Sequence, residues 1–138
     1  GKGFIEQTDV FCKKANAKLA TVTGRYFAMD RDKRWERVQL AYNALVHGKG
    51  TLSTNVTQSI QESYDAGITD EFIKPIILAD STNEPIAKIK ADDVVIFFNF
   101  RTDRGRELTE VLSQQDFPEF GMKALSLYYV TLTNYSAS

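Results

Sequence analysis

The arginines of this chain cluster in two stretches, and arginine is the side chain that binds carboxylate and phosphate groups through paired N–H donors. The first stretch runs from Gly24 to Arg37 and the second from Arg101 to Arg106. Each follows a predicted strand, and ligands of open parallel sheets bind beyond the carboxyl ends of the strands. Both stretches are therefore candidates for binding a small anion.

In the second stretch, Arg101 and Arg104 lie on the same side of a predicted helix that begins near Asp103. The amino end of a helix carries partial positive charge, so two cations there are unfavourable unless an anion binds between them. The alternative is that Asp103 and Glu107 neutralise the arginines in a surface network. Spacing alone leaves both interpretations open.

In the first stretch, Arg25 and Arg31 flank an apolar patch at residues 26–29. A packed patch would hold the two guanidinium groups in fixed directions, as a preorganised binding site requires. The alternative is a solvated charge run, in which acidic residues alternate with the basic ones: Asp30, Asp32 and Glu36. From the residues alone, this plainer interpretation is favoured.

The elements that must position these arginines alternate between strands and helices. Predicted strands cover Lys18–Val22, Phe72–Leu78, Ile86–Ile89, Val94–Phe100 and Leu125–Leu132, and predicted helices cover residues 35–47, 55–67 and 104–113. The alternation predicts the α/β class, a layered α/β/α domain with a mainly parallel sheet and a short antiparallel excursion at Phe72–Ile89. Val94–Phe100 is apolar at nearly every position, which predicts an interior strand with Ile96 and Phe98 buried.

Composition limits the classes of function. The 138 residues suit a single domain, and the formal net charge of −1 gives no general attraction to nucleic acid or to an acidic membrane. No apolar run reaches the length of a membrane span. The single cysteine and single histidine, Cys12 and His47, cannot form a disulfide or a His- or Cys-rich metal centre. We expect a cytoplasmic protein with no catalytic residue or metal ligand that can be named from the residues.

Both arginine stretches resemble motifs of the cofactor-independent phosphoglycerate mutases of glycolysis. Residues 24–37 resemble the signature G-R-Y-x-A-M-D-R-D-x-R-W-x-R, and residues 97–106 resemble F-F-N-F-R-x-D-R-x-R. Residues 67–72, followed by Lys74 and Pro75, resemble a third segment of that family. The order and separation of the motifs also fit, so the resemblance covers nearly the whole chain.

The resemblance implies an isomerase built from two α/β domains. One resembles alkaline phosphatase, holds two manganese ions and carries a serine that takes the phosphate from 3-phosphoglycerate or 2-phosphoglycerate. The other is the phosphotransferase domain, which clamps the substrate, and residues 1–138 would be a part of it. By motif position, the substrate-binding arginines would be Arg25, Arg31, Arg101 and Arg104. The implied partners are the two phosphoglycerates and the alkaline-phosphatase-like domain.

The chain departs from the family pattern in several places. Phe27 stands where a second tyrosine is common, and Thr102 where proline or alanine is usual. The family's D-G-R-D segment, catalytic serine and manganese ligands are not in this sequence, so we expect the chain alone to fold without catalysing the reaction. The alternative is a stand-alone α/β module that binds a small phosphorylated or carboxylated metabolite without chemistry.

Overall fold

A computed structural model describes residues 1–135, and the last three residues of the predicted domain, 136–138, lie outside the described residues. The helices are α1 (Lys2–Lys14), α2 (Arg25–Ala28), α3 (Trp35–Tyr42), α4 (Val56–Asp65) and α5 (Thr102–Ser113). A π-helical turn, Asn43–His47, extends α3, and short 3-10 turns cover Asp70–Phe72 and Pro118–Phe120. The strands are β1 (Thr21–Val22), β2 (Thr51–Ser53), β3 (Ile76–Leu78), β4 (Val94–Phe97) and β5 (Tyr128–Thr131).

The strands form two small sheets. In the first, with the order β1-β3-β2, β2 runs parallel to β3 and β1 runs antiparallel to it. The second sheet pairs β4 with β5 in parallel, with Val94 opposite Tyr128. The α/β class with mainly parallel pairing is therefore confirmed. Of the antiparallel excursion, only a single bridge between Ala79 and Pro85 forms, and Ile86–Ile89 is not a strand.

The prediction that Val94–Phe100 is an interior strand is wrong for this chain. β4 ends at Phe97 and pairs only with β5 among the described residues, and Ile96 and Phe98 are 64% and 76% exposed. Phe97 packs on the core from the other face of the sheet. The strand is apolar on both faces, but residues 1–135 cover only one of them. We call the uncovered side the outer face, and its exposed apolar side chains are Val94, Ile96, Phe98, Phe100, Tyr128, Val130 and Leu132.

The main core lies between α3 and α5. Its buried residues are Val38, Ala41, Tyr42, Leu108, Val111, Leu112, Phe117 and Met122. The hydroxyl of Tyr42 donates to the carbonyl oxygen of Lys123 at 2.6 Å, so the polar end of this buried ring is satisfied. Since α3 begins within the first arginine stretch and α5 begins within the second, this core brings the two stretches together.

A second core lies between α4 and the three-stranded sheet, and its buried residues are Val56, Ile60, Ile73, Ile76 and Leu78. α4 begins where the sequence predicts, because the side chain of Asn55 accepts the backbone N–H of Gln58 at 3.1 Å. Asn55 and Gln58 have the spacing of a capping box, but only half of it forms, since the Gln58 side chain donates to Glu62 instead of returning to Asn55. This core holds the 3-10 turn Asp70–Phe72 beside the first arginine stretch.

Candidate anion-binding site

The first arginine stretch begins with a close approach between two backbone segments. The N–H of Gly24 donates to the carbonyl oxygen of Ile73 at 2.8 Å, and a Cβ on Gly24 would lie only 2.4 Å from the carbonyl oxygen of Glu71. Glycine is therefore required here by space. The approach puts Arg25, the first residue of α2, within 2.8 Å of the Glu71 carboxylate. This ion pair raises the pKa of Arg25 and lowers that of Glu71.

Arg31 lies in a turn whose backbone is held by hydrogen bonds to the side chain of Asp30. Oδ2 of Asp30 accepts the backbone N–H groups of Asp32 and Arg34, each at 3.0 Å. Oδ1 lies 3.3 Å from the guanidinium of Arg37, and that guanidinium stacks on the ring of Tyr26. Asp30 is buried, so the interpretation of this stretch as a fully solvated charge run is wrong at its central acid.

Arg31 and Arg101 meet at one carboxylate. Nη1 of Arg31 lies 3.2 Å, and Nη2 of Arg101 3.4 Å, from the same oxygen of Asp103. Partial burial raises the pKa of Asp103, but the two arginines lower it by more, so the pKa lies below its usual value. Asp103 lies in the first turn of α5, where a negative charge is also favoured by the helix dipole.

Arg104 connects α5 to the end of α2. Its Nη1 donates to the carbonyl oxygen of Met29 at 3.0 Å, and its charge helps to lower the pKa of Glu71, the partner of Arg25. The two stretches therefore meet, as is expected if both bind one substrate. They do not meet at the end of one sheet, because Arg25 follows β1 of the three-stranded sheet and Arg101 follows β4 of the other. The part that these arginines play in binding substrate stays a prediction.

The charges of this arrangement suit a small ligand with more than one anionic group. The side chains of Arg25, Arg31 and Arg101 are at least half exposed, and each guanidinium has several N–H donors of which the observed ion pairs use only a part. A cavity of about 570 Å³ opens beside Arg25, but its walls are mainly apolar and Arg25 alone of the four arginines lines it. The candidate anion site is accordingly the exposed surface between Glu71 and Asp103.

Glu107 is not the surface partner of the arginines that the alternative interpretation predicts. It is buried, and its Oε1 accepts the backbone N–H of Lys33 at 2.8 Å. Burial first, and then the nearby carboxylates of Asp30 and Asp32, raise its pKa to about 7. Helical periodicity predicts the burial of Glu107, because it lies four residues before Val111 and next to Leu108 on the buried face of α5.

Two further features can be read from the described part of the chain. Within residues 1–135, no three or more His, Cys, Asp or Glu side chains are grouped so that they could hold a metal ion. In the same residues, every helix is too short or too polar to cross a membrane.

Fold and site together define an α/β domain in which arginines from two distant stretches meet at one surface. A family model described as the BPG-independent PGAM N-terminus matches residues 1–137, and the chain belongs to this family of phosphoglycerate mutase N-terminal regions. A 2,3-bisphosphoglycerate-independent phosphoglycerate mutase of Flavobacterium psychrophilum is 65% identical over 131 residues, which is 95% of this chain and 26% of that protein. The enzyme of the same name from Bacteroides thetaiotaomicron is 55% identical over the full chain and 27% of its own length.

A solved structure shows the same fold. It is a crystal structure of Leishmania mexicana phosphoglycerate mutase at low cobalt concentration, which superimposes with a TM-score of 0.81 at 25% sequence identity. The match covers 97% of this chain and 26% of that one. The chain thus spans about a quarter of the length of the relatives that it matches.

Proposed function

We propose that this chain is the substrate-clamping part of a 2,3-bisphosphoglycerate-independent phosphoglycerate mutase that interconverts 3-phosphoglycerate and 2-phosphoglycerate. The observation that carries the proposal is the meeting of Arg25, Arg31, Arg101 and Arg104 from two distant stretches. The similarity of the chain to enzymes of that name supports it. Residues 1–138 would then form part of one domain, the phosphotransferase domain.

The proposed role is electrostatic and geometric. A phosphoglycerate carries a carboxylate and a phosphate, and the guanidinium groups offer paired donors to both. Glu71 and Asp103 keep three of the arginines oriented before the ligand arrives, which lowers the cost of ordering these long side chains on binding. The same contacts would hold glycerate in place while its phosphate is on the enzyme and the accepting hydroxyl changes.

The phosphoryl transfer itself is proposed to take place outside this chain. The described residues do not group into a site for the two manganese ions that the resemblance implies. The serine nucleophile and the metal ligands would belong to the alkaline-phosphatase-like domain, and this chain alone is expected not to catalyse the reaction. A cytoplasmic location is part of the same proposal, because the resemblance is to enzymes of glycolysis.

The alternative, a stand-alone metabolite-binding module, is disfavoured by the outer face of the β4–β5 sheet. Apolar side chains on both strands of that face are exposed in the described chain, among them Phe98 and Tyr128. An exposed apolar patch of this kind marks a surface that another part of a protein covers. The longer polypeptides of the relatives offer such a part.

The proposal is tested by assaying the intact polypeptide that contains this chain. We expect it to form 2-phosphoglycerate from 3-phosphoglycerate without added 2,3-bisphosphoglycerate, and we expect Arg31→Gln to raise KM at least about tenfold, the size of one lost charge-assisted contact. Arg34→Gln is a matched control, because Arg34 lies in the same stretch and its side chain forms no ion pair within residues 1–135. An activity that requires 2,3-bisphosphoglycerate, or an unchanged KM for Arg31→Gln, would contradict the proposal.

A further inference from the structure

We infer that Glu107 is a positioning residue for the arginine site: as a neutral carboxylic acid, it fastens the turn that carries Arg31 to the helix that carries Arg104. The inference rests on the proposed function, because it concerns the orientation of the same arginines. It assigns Glu107 no contact with substrate.

The first support is the path of hydrogen bonds between the two stretches. Glu107 accepts the N–H of Lys33 across 74 positions of sequence, while Asp30 accepts the N–H groups of the residues on either side of Lys33. Lys33 itself has a φ of 56°, a left-handed conformation that lysine seldom adopts and that these contacts hold. Arg31 lies within this turn, and Arg104 lies three residues before Glu107 on α5. The Glu107–Lys33 contact therefore fixes where Arg31 lies relative to Arg104.

The second support is the burial of two carboxyl groups side by side. Glu107 and Asp30 are each only 5% exposed. Oε2 of Glu107 is buried and has no hydrogen-bond partner in the described part of the chain. Leaving an ionised oxygen buried in this way is costly, whereas a proton on it would turn it into a donor toward the neighbouring carboxylate.

The charges around the pair decide which acid holds the proton. Asp30 accepts two backbone N–H groups and faces Arg37 of α3, so its pKa is lowered despite its burial. Glu107 has only the N–H of Lys33 and faces the charges of Asp30 and Asp32, and its pKa is raised to about 7. Two neighbouring carboxyl groups ionise in separate steps, because the first charge opposes the second. Below about pH 7, the proton is held by Glu107.

The sign of the pH dependence follows from these shifts. Because the pKa of Glu107 is higher in the folded chain than its ordinary value of 4.5, the folded state binds the proton more strongly than the unfolded state does. The stabilising effect of the neutral acid is therefore complete below pH 4.5 and is lost as the pH rises through about 7. Above that pH, two buried carboxylates repel each other and the turn that carries Arg31 loosens from α5.

The test uses the intact enzyme and three variants. Glu107→Gln is permanently neutral and can both accept from Lys33 and donate to Asp30, whereas Glu107→Ala can do neither. Glu110→Gln, on the same helix and half-buried, is the matched control. KM and kcat are measured between about pH 6 and about pH 8, the range in which a group with this pKa titrates. The ionisation of the substrate affects KM equally for each variant and for the wild type, so its contribution cancels when the two KM values are divided.

We expect KM to rise about fivefold or more for Glu107→Ala at low pH with a smaller change in kcat, since a displaced turn weakens binding more than chemistry. For Glu107→Gln we expect a KM equal to that of the wild type near pH 6 and lower than that of the wild type near pH 8. A Glu107→Gln variant as impaired as Glu107→Ala at every pH would overturn the inference. So would a carboxyl carbon NMR titration of the wild type in which Glu107 ionises at its ordinary pKa, a measurement that stands even if Glu107→Ala does not fold.

These outcomes are distinct from a failure of the proposed function. If Arg31→Gln keeps the wild-type KM, Arg31 does not bind substrate, and the proposed function fails whatever the Glu107 variants do. If Arg31→Gln is impaired and Glu107→Gln does not differ from the wild type at any pH, the arginine site stands and the inference about Glu107 is wrong.

Discussion

Arg104→Ala in the intact enzyme is expected to lower kcat/KM at least about tenfold. A hydrogen bond to a charged group contributes roughly 1.5–3 kcal/mol, and about 1.4 kcal/mol corresponds to a factor of ten. Arg104 is half-buried and donates to the carbonyl oxygen of Met29, so its guanidinium is held in place before the ligand binds. Arg104→Lys should restore only part of the loss, because an ammonium group cannot form two parallel hydrogen bonds to one anion.

The control for this prediction is Arg34→Ala, which removes the same charge from a side chain that forms no ion pair in the described part of the chain. Steady-state kinetics of the three variants and their thermal midpoints should be measured together, so that a loss of folding is not mistaken for a loss of binding. Wild-type kinetics for Arg104→Ala in a folded enzyme would refute the assignment of Arg104 to the substrate.

Gly24→Ala is expected to damage both stability and the site. The new Cβ would lie 2.4 Å from the carbonyl oxygen of Glu71 and 2.7 Å from the backbone nitrogen of Ile73, and neither backbone atom can move aside as a flexible side chain would. The φ of Gly24 is −62°, which alanine adopts without strain, so the cost comes from the contact alone. Overpacking of this kind lowers the free energy of unfolding by about 1–3 kcal/mol. Pushing the two segments apart would also separate Arg25 from Glu71.

Gly3→Ala is the matched control for Gly24→Ala. Gly3 lies in α1, where a Cβ would meet nothing within 4 Å. Alanine is favoured over glycine inside a helix by roughly 0.5–1 kcal/mol, so this variant should be at least as stable as the wild type. Urea unfolding of both variants gives the comparison. Equal midpoints for the two would show that the segments at Gly24 and Glu71 are not as close as the structure has them.

The sequence signal for the arginines is local, because guanidinium groups follow a strand and begin a helix. The residues alone also allow plainer explanations, and the resemblance to family motifs is what singles these arginines out. The two stretches do meet through Asp103, whereas their part in binding substrate stays a prediction. What the sequence could not provide is the sheet to which each strand belongs. Runs of two to four residues, such as β1 and β3, carry no information about their pairing partner.

β4 and Glu107 show two different reasons for error. An apolar strand such as β4 predicts burial on both faces, but the described residues cover only one of them, and Phe98 on the other face is exposed. The residue type of Glu107 predicts a surface position, since acids beside arginines usually lie on the surface. Its position relative to Val111 on α5 was the better guide, because helical periodicity decides which side chains face the core.

The most direct test of the account is a structure of the intact enzyme with 3-phosphoglycerate bound. We expect guanidinium nitrogens of Arg25, Arg31, Arg101 and Arg104 within about 2.7–3.2 Å of the carboxylate and phosphate oxygens, in part by exchange of their present partners Glu71 and Asp103. A ligand bound at a distance from all four arginines, with the ion pairs to Glu71 and Asp103 intact, would contradict the account.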